Sequence, residues 1–460
     1  MSPPDTSASR AWIDRALAAG SAVALALLAA LQSGRIHPDE VYQFLEPANR
    51  LAFGYGVQSW EWHQGVRNWA IPAVLAAGMK AAHALGATGP LGHRLGAAAA
   101  VAVLAFPGLR AVLGYAARRT ESAWAARLAL GLVCAWATSL YFLGRTLGEP
   151  MGVLLGVAGL AILDDRARPW RAGLWAGLGL GLAVVVRYGF ASLAVAALVQ
   201  LALERRWKAL AGAVLSGGAV ALALGVLDAI TWGSPWQSMV GYMRFNLGGG
   251  AARMFGTAPW WFYLPVCAWW MAWPLLAGVR RLRLRSDRML LPAAAYLLAL
   301  STTPYKVTRF LFPVVFLVAV ALAPAAADGL CALWRSGAAR RGLAAAAAAA
   351  YVAISAVSYA RLPDLERDLF WATMEISRDP GLKKLIVVNE SIWGSGGNFY
   401  VGRDVPVLYT GPGYRGYAQA MRDPAVNRAV VFRDPSAQAS LEQFGFRPVG
   451  AVGHTVMLAR

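Results

Sequence analysis

Long apolar runs separated by short charged or aromatic stretches dominate residues 16–359. A run of roughly 17–25 apolar residues is long enough to cross a bilayer as a helix. The pattern predicts eleven spans, at 16–31, 94–117, 125–143, 150–163, 171–186, 189–203, 209–227, 260–279, 288–303, 310–327 and 342–359. The stretch 71–86 is also apolar but carries Pro72, Lys80 and His83, and reads as a juxtamembrane helix lying at the interface. Beyond residue 360 the pattern changes. Short β-like runs at 385–388, 429–432 and 455–458 are separated by Gly, Pro and Asp turns. The fold class is therefore an all-α polytopic membrane protein with a small C-terminal soluble α/β domain. The expected boundary divides a membrane domain, 1–360, whose first outer loop is 33–93, from a soluble domain, 361–460.

Composition agrees with this reading: 58% of residues are hydrophobic and the mean hydropathy is +0.47. The net charge of +19 raises the question of nucleic acid. However, the arginines gather in clusters between apolar runs, at 118–119, 205–206, 280–285 and 335–341. That is the positive-inside pattern of a membrane protein, and it removes the nucleic-acid reading. It also orients the chain. Arg10 and Arg15 hold the N-terminus in the cytoplasm, and the loop after the first span faces the other side. No secretory-type cleavage site precedes that span, so it is expected to be retained. Only five of the 43 basic residues are lysine and alanine is abundant, a bias of GC-rich bacterial genomes; the expected location is then a bacterial inner membrane. Cys134, Cys267 and Cys331 have no metal-ligand spacing and read as small buried hydrophobes. No metal or cofactor is called for.

The orientation groups the candidate chemistry. Asp39, Glu40, Glu46, Glu61, Arg67, Arg145, Glu149, Arg187, Asp228, Lys306 and Arg309 all fall at outer ends of spans or in outer loops. Positive-inside does not account for this mixture of signs. It fits a cavity that binds an anion and also needs a carboxylate. Lys306 and Arg309, three apart, suit a lipid phosphate, and a carboxylate such as Asp39 suits a general base. Neighbouring Asp39 and Glu40 point in different directions, so they do not form a matched pair on one atom. His37 reads first as a capping residue. Arg145 and Glu149, four apart, fit an ion pair at a helix end as well as a site. Trp260 and Trp261 fit an interfacial belt or a substrate contact.

These residues resemble a known family. His37-Pro38-Asp39-Glu40 followed by Tyr42-Gln43 and Glu46-Pro47 is similar to the first-loop signature of the lipid-phosphate-mannose-dependent α-mannosyltransferases, members of the GT-C superfamily. Further likenesses follow in order. They are Gly54-Tyr55-Gly56 with Trp60-Glu61-Trp62 and Arg67-Asn68, then Arg145-Thr146-Leu147, then Phe245-Asn246 with Gly256 to Leu264, and last Lys306 with Arg309-Phe310. The departures are Gly148-Glu149 in place of Ser-Asn, Ala258 in place of His, and Tyr305 and Val307 in place of the His and Glu that flank the lysine.

The resemblance implies a GT-C membrane fold and an active site on the non-cytoplasmic side. It implies inverting transfer of a hexose, mannose above all, from a polyprenyl-phosphate sugar to a glycan or glycolipid acceptor. Asp39 would be the base, with Glu40 in support. Lys306, Arg309 and Arg145 would hold the donor phosphate. His37, Gln43, Glu46, Trp60, Glu61, Arg67, Asn246 and Trp260 would contact substrate. The rival readings are a transporter or flippase for lipid-linked sugars and an inactive scaffolding homologue. A transporter would place charges deep within the spans and facing both sides, whereas here they gather at one face.

Overall fold

A computed structural model describes residues 6–32, 34–248, 251–272, 275–276 and 287–460. The arginines at 280–285 and the glycines at 249–250 lie outside the described residues. Among those described, six helices are long and apolar enough to cross a membrane: Ala11–Leu31, Gly89–Ala117, Pro169–Val186, Trp207–Trp232, Thr308–Arg335 and Ala338–Ala360. They coincide with the first, second, fifth, seventh, tenth and eleventh expected spans. Shorter apolar helices at Ala123–Ala135, Gly148–Ile162, Tyr188–Leu203 and Leu290–Thr302 stand where the third, fourth, sixth and ninth were expected.

Two expectations change. The third span is interrupted at Trp136, whose backbone is extended between the helices Ala123–Ala135 and Ala137–Phe142. Its indole Nε1 donates to the Trp270 carbonyl at 3.0 Å, a distant contact that no local helix breaker announces. The expected eighth span is helical over Tyr263–Trp270, and Met271 turns to extended backbone. The remainder of that span is described only at 272 and 275–276.

The chain forms two compact units. One comprises Met1–Leu28, Gly65–Ala70 and Val101–Leu362. Glycine lets its helices approach closely. A Cβ on Gly173 would lie 2.2 Å from the Ala209 carbonyl oxygen, and one on Gly177 would lie 2.1 Å from that of Ala213. The Gly148–Ile162 helix meets Pro169–Val186 in the same way, since a Cβ on Gly159 would lie 2.7 Å from the Ala176 oxygen. Small residues at four-residue spacing serve this purpose where apolar burial alone gives little drive between helices.

The other unit comprises Ala29–Gln64, Ile71–Ala100 and Pro363–Arg460. Its described residues include a sheet of five strands: β1 Lys384–Val388, β2 Val407–Tyr409, β3 Val426–Phe432, β4 Arg447–Val452 and β5 Thr455–Ala459. The order is β2-β1-β3-β5-β4. β1 is parallel to β2 and β3, whereas β5 is antiparallel to β3 and β4. The three runs read from the sequence are β1, β3 and β5. The two edge strands were not legible. β2 has three residues, and β4 carries Pro448 and Gly450 where its register shifts. Short strands and interior prolines are edge devices and weaken the pattern. Ile386, Val388 and Val431 pack on one face of the sheet with Met421, Leu441 and Phe446. Leu385, Val387 and Val430 pack on the other with Leu369, Ile376 and Val401.

In this unit the first loop and the C-terminal segment are joined. Arg35 and Leu365 exchange backbone hydrogen bonds at 2.9 and 3.0 Å, and Arg35 pairs with Glu366 at 2.8 Å. Arg94 reaches the Ala29 carbonyl at 3.0 Å and bonds the Tyr400 hydroxyl.

Candidate active site

The charged residues singled out from the sequence fall into two sets, one in each unit. In the unit with the sheet, Pro38 accepts the amides of Val41 and Tyr42 at 3.0 and 2.9 Å. The chain then makes a π-helical turn over Glu40–Leu45 and enters the helix Glu46–Phe53. A π turn is a wide, less stable rung that recurs at functional sites.

The three carboxylates of this stretch have different surroundings. Asp39 is the accessible one, with a side chain 18% exposed and Oδ1 3.1 Å from His37 Nδ1. Glu40 is buried, and its Oε1 accepts the Ile36 amide at 2.7 Å, which ties down the turn. Gln43 Nε2 donates to Glu61 Oε1 at 3.2 Å, linking two of the expected substrate contacts. Trp62 Nε1 donates to the Tyr42 carbonyl at 2.9 Å. Trp60 is half-buried.

Glu46 is fully buried and faces backbone. Its Oε2 accepts the Val57 amide at 2.7 Å, and its Oε1 accepts the Phe399 amide at 2.8 Å. Two glycines make room for it: a Cβ on Gly397 would lie 2.0 Å from Oε1, and one on Gly56 2.7 Å from Oε2. The carboxylate thus clamps three segments: the first-loop helix, the Gly54–Val57 turn and the C-terminal segment. Burial pushes its pKa up to about 8, against the amides of Phe399, Val57 and Asn398, which favour the ionised form. Because the folded value lies above the unfolded one, Glu46 contributes most below pH about 4.5. That contribution is lost as pH rises through about 8.

At pH 5 the wild-type carboxyl is protonated and, like a carboxamide, already turns one donor toward a backbone N–H, so Glu46→Gln is expected to lie within about 1 kcal/mol of wild type there. The variant should gain on the wild type toward pH 8.5, because only the wild type loses stability over that interval. Denaturation midpoints of both proteins at the two pH values test this, and a variant that loses ground as pH rises would be inconsistent with the assignment.

In the unit of long helices, Glu149 opens the Gly148–Ile162 helix and is fully buried. Arg309 Nη1 meets its Oε1 at 2.6 Å, and Arg187 Nη2 lies 3.3 Å from the same oxygen. The two guanidinium carbons lie 4.8 and 4.4 Å from the Phe310 ring centroid, Arg309 and Arg187 respectively. The cluster assembles the first turn of one helix, the residue ending the Pro169–Val186 helix and the turn Thr308–Leu311. Val307 stands where the resembled motif has an acid, and Glu149 brings an acid to Arg309 from a different helix.

Lys306 Nζ donates to the Ala258 carbonyl at 3.3 Å and to that of Thr303, and desolvation lowers its pKa. Arg145 is buried, with its guanidinium 5.8 Å from the Tyr141 ring. Arg67 lies 5.8 Å from the Tyr242 ring, and its carbonyl accepts Trp232 Nε1 at 2.9 Å. Asn246 Nδ2 donates to the Tyr242 carbonyl of its own helix at 2.9 Å. Trp260 is largely exposed. Asp228 takes the Ser238 amide at 2.9 Å, a helix-capping contact.

Glu149, Arg187 and Asn68 were not among the residues expected to act on substrate. Asn68 Nδ2 bonds the Val185 carbonyl at 2.8 Å and the Tyr188 hydroxyl at 2.9 Å. The sequence signal for the first two was present: an acid and a base embedded in apolar runs, at positions that positive-inside does not need.

The model of the Alg9-like mannosyltransferase family matches residues 21–365. The chain belongs to this family. Among curated relatives it is similar to GPI mannosyltransferase 3 of Yarrowia lipolytica, 29% identical over 320 residues, covering 63% of this chain and 58% of the relative. The GPI alpha-1,2-mannosyltransferase 3 of Mus musculus is 26% identical over 301 residues, covering 60% and 52%. The chain thus spans between half and three fifths of the length of these relatives. Among solved structures, ArnT from Cupriavidus metallidurans bound to undecaprenyl phosphate aligns over 98% of both chains with a TM-score of 0.63 at 16% identity. That likeness shows that this Alg9-like chain shares the fold of that structure.

Proposed function

We propose that the protein is an integral-membrane, inverting mannosyltransferase. It moves mannose from a polyprenyl-phosphate donor to a hydroxyl of a glycolipid or lipid-linked glycan, on the non-cytoplasmic side of a bacterial inner membrane. The observation that carries this reading is the family match from the first span to residue 365, with His37-Pro38-Asp39-Glu40 intact in its first loop. Similarity to a GPI alpha-1,2-mannosyltransferase favours an α-1,2 linkage and a GPI-like acceptor. The undecaprenyl phosphate bound by ArnT favours a polyprenyl-phosphate donor.

In this mechanism Asp39 takes the acceptor hydroxyl proton. The acceptor oxygen bonds the anomeric carbon as the bond from that carbon to the phosphate oxygen breaks. The polyprenyl phosphate leaves as an anion and needs no proton, so no general acid is required. Lys306, Arg309 and Arg145 offset its charge.

The test is an assay of purified protein with radiolabelled polyprenyl-phosphate mannose against nucleotide-linked mannose. Transfer from the lipid donor alone is expected; transfer from the nucleotide sugar alone would overturn the reading. Lys306→Ala is expected to raise the donor KM about 10-fold or more, the scale of a lost charged hydrogen bond, and to leave the acceptor KM in place. An unchanged donor affinity with a weakened acceptor would reassign the lysine.

A further inference from the structure

Within the unit that carries the sheet is a cavity of about 420 Å³, beside the Glu46 clamp and without a role in the transfer step. Arg50, Tyr55, Asn398 and Asp404 line it, with Gly54 and Gly56 in the turn between them. Its volume is in the range of small-ligand sites, roughly 300–1,000 Å³. We infer that it is a subsite for a neutral oligosaccharide, one that holds acceptor sugars away from the hydroxyl being extended. This rests on the proposed transferase function.

The chemistry of the lining carries the argument. One guanidinium is balanced by one carboxylate, so the cavity has no net charge with which to select a phosphate. The phenol, the carboxamide and the two charged groups supply both donors and acceptors. A sugar face, with adjacent hydroxyls that each donate and accept, matches such a set. An acyl chain would displace water from these polar groups and offer no hydrogen bond in return, which costs free energy.

The walls are also held in place before any ligand binds. Asn49 Nδ2 bonds the Tyr55 carbonyl at 2.8 Å, Arg50 Nη1 the Gly56 carbonyl at 3.2 Å, and Asn398 Nδ2 the Val405 carbonyl at 3.1 Å. Glu46 fastens both sides, through Val57 at 2.7 Å and Phe399 at 2.8 Å. Gly54 and Gly56 have φ of +85° and +148°, a backbone that a side chain would strain. Any side chain at 56 would also collide with Glu46. The turn is therefore both bare and fixed, and a preformed site loses less ordering entropy when it is filled.

The experiment uses the full-length protein in detergent and α-linked mannobiose as the probe, with binding followed by saturation-transfer NMR and by calorimetry. Wild type is expected to bind mannobiose, and inorganic phosphate is expected not to compete. Asp404→Ala and Arg50→Ala should each weaken binding about tenfold or more while leaving the melting temperature in place, since both side chains are at the surface. In turnover with a glycan acceptor, both variants should raise the acceptor KM by a similar factor at unchanged kcat.

Mannobiose binding and acceptor KM unmoved by either variant, or displacement of mannobiose by phosphate, would overturn the subsite. The two readings fail separately. Active transfer with no effect of the variants removes the subsite and keeps the transferase. Variant-sensitive mannobiose binding without any transfer keeps the sugar site and removes the enzyme assignment.

Discussion

Asp39→Asn is expected to lower mannosyl transfer by about 10²–10⁴-fold, the range associated with a positioned general base, in a protein that still folds and inserts. The substitution keeps the shape of the side chain and removes its ability to take a proton. Asp39 is suited to the role by its surroundings. Its carboxylate is 18% exposed beside His37, at the entry to the π turn. By contrast, Glu40 is committed to the Ile36 amide and Glu46 to the amides of Val57 and Phe399. The loss should fall on kcat with the donor KM little changed, because in the proposed mechanism the base acts on the acceptor proton and not on the phosphate. A rate within threefold of wild type on purified lipid-phosphate mannose would sink the assignment.

The second large effect is on stability. Glu149→Ala should destabilise the protein by about 3–5 kcal/mol, the scale of removing one partner from a buried ion cluster. Glu149 is fully buried, and the Arg187 and Arg309 side chains that meet it are 8% and 5% exposed. Each guanidinium would lose the carboxylate that offsets its desolvation. Pairing the change with Arg309→Ala should return part of the loss, because one of the two buried cations that met the carboxylate is then removed. Thermal unfolding in detergent measures both. A single variant that melts with the wild type, or a double variant worse than the sum of its parts, would show that the cluster does not act through charge compensation.

Much of the architecture was legible in one dimension. Bilayer thickness imposes a length on apolar runs, and six long helices stand where such runs were read. The exceptions have physical causes. The helices at 123–135, 148–162 and 290–302 have 13–15 residues, a rise of about 20 Å at 1.5 Å per residue, and apolar composition does not reveal where such a run stops. Trp136 breaks a helix through a contact 134 residues away. The inner strands of the C-terminal sheet, buried on both faces, read as continuous Val and Ile runs, whereas its edge strands did not.

The sequence by itself determined the membrane class, the order of the motifs and the residue types that can do the chemistry. These depend on hydropathy, on charge distribution and on short spacings. Only the tertiary structure decided which acid is accessible and which are committed to backbone. It also decided that Glu149 shares Arg187 and Arg309, and that the first loop and the C-terminal segment close around Glu46 as one unit. Those pairings join residues 38 to 353 positions apart. Burial and hydrogen-bond partners over such separations are set by packing, and no local pattern encodes them.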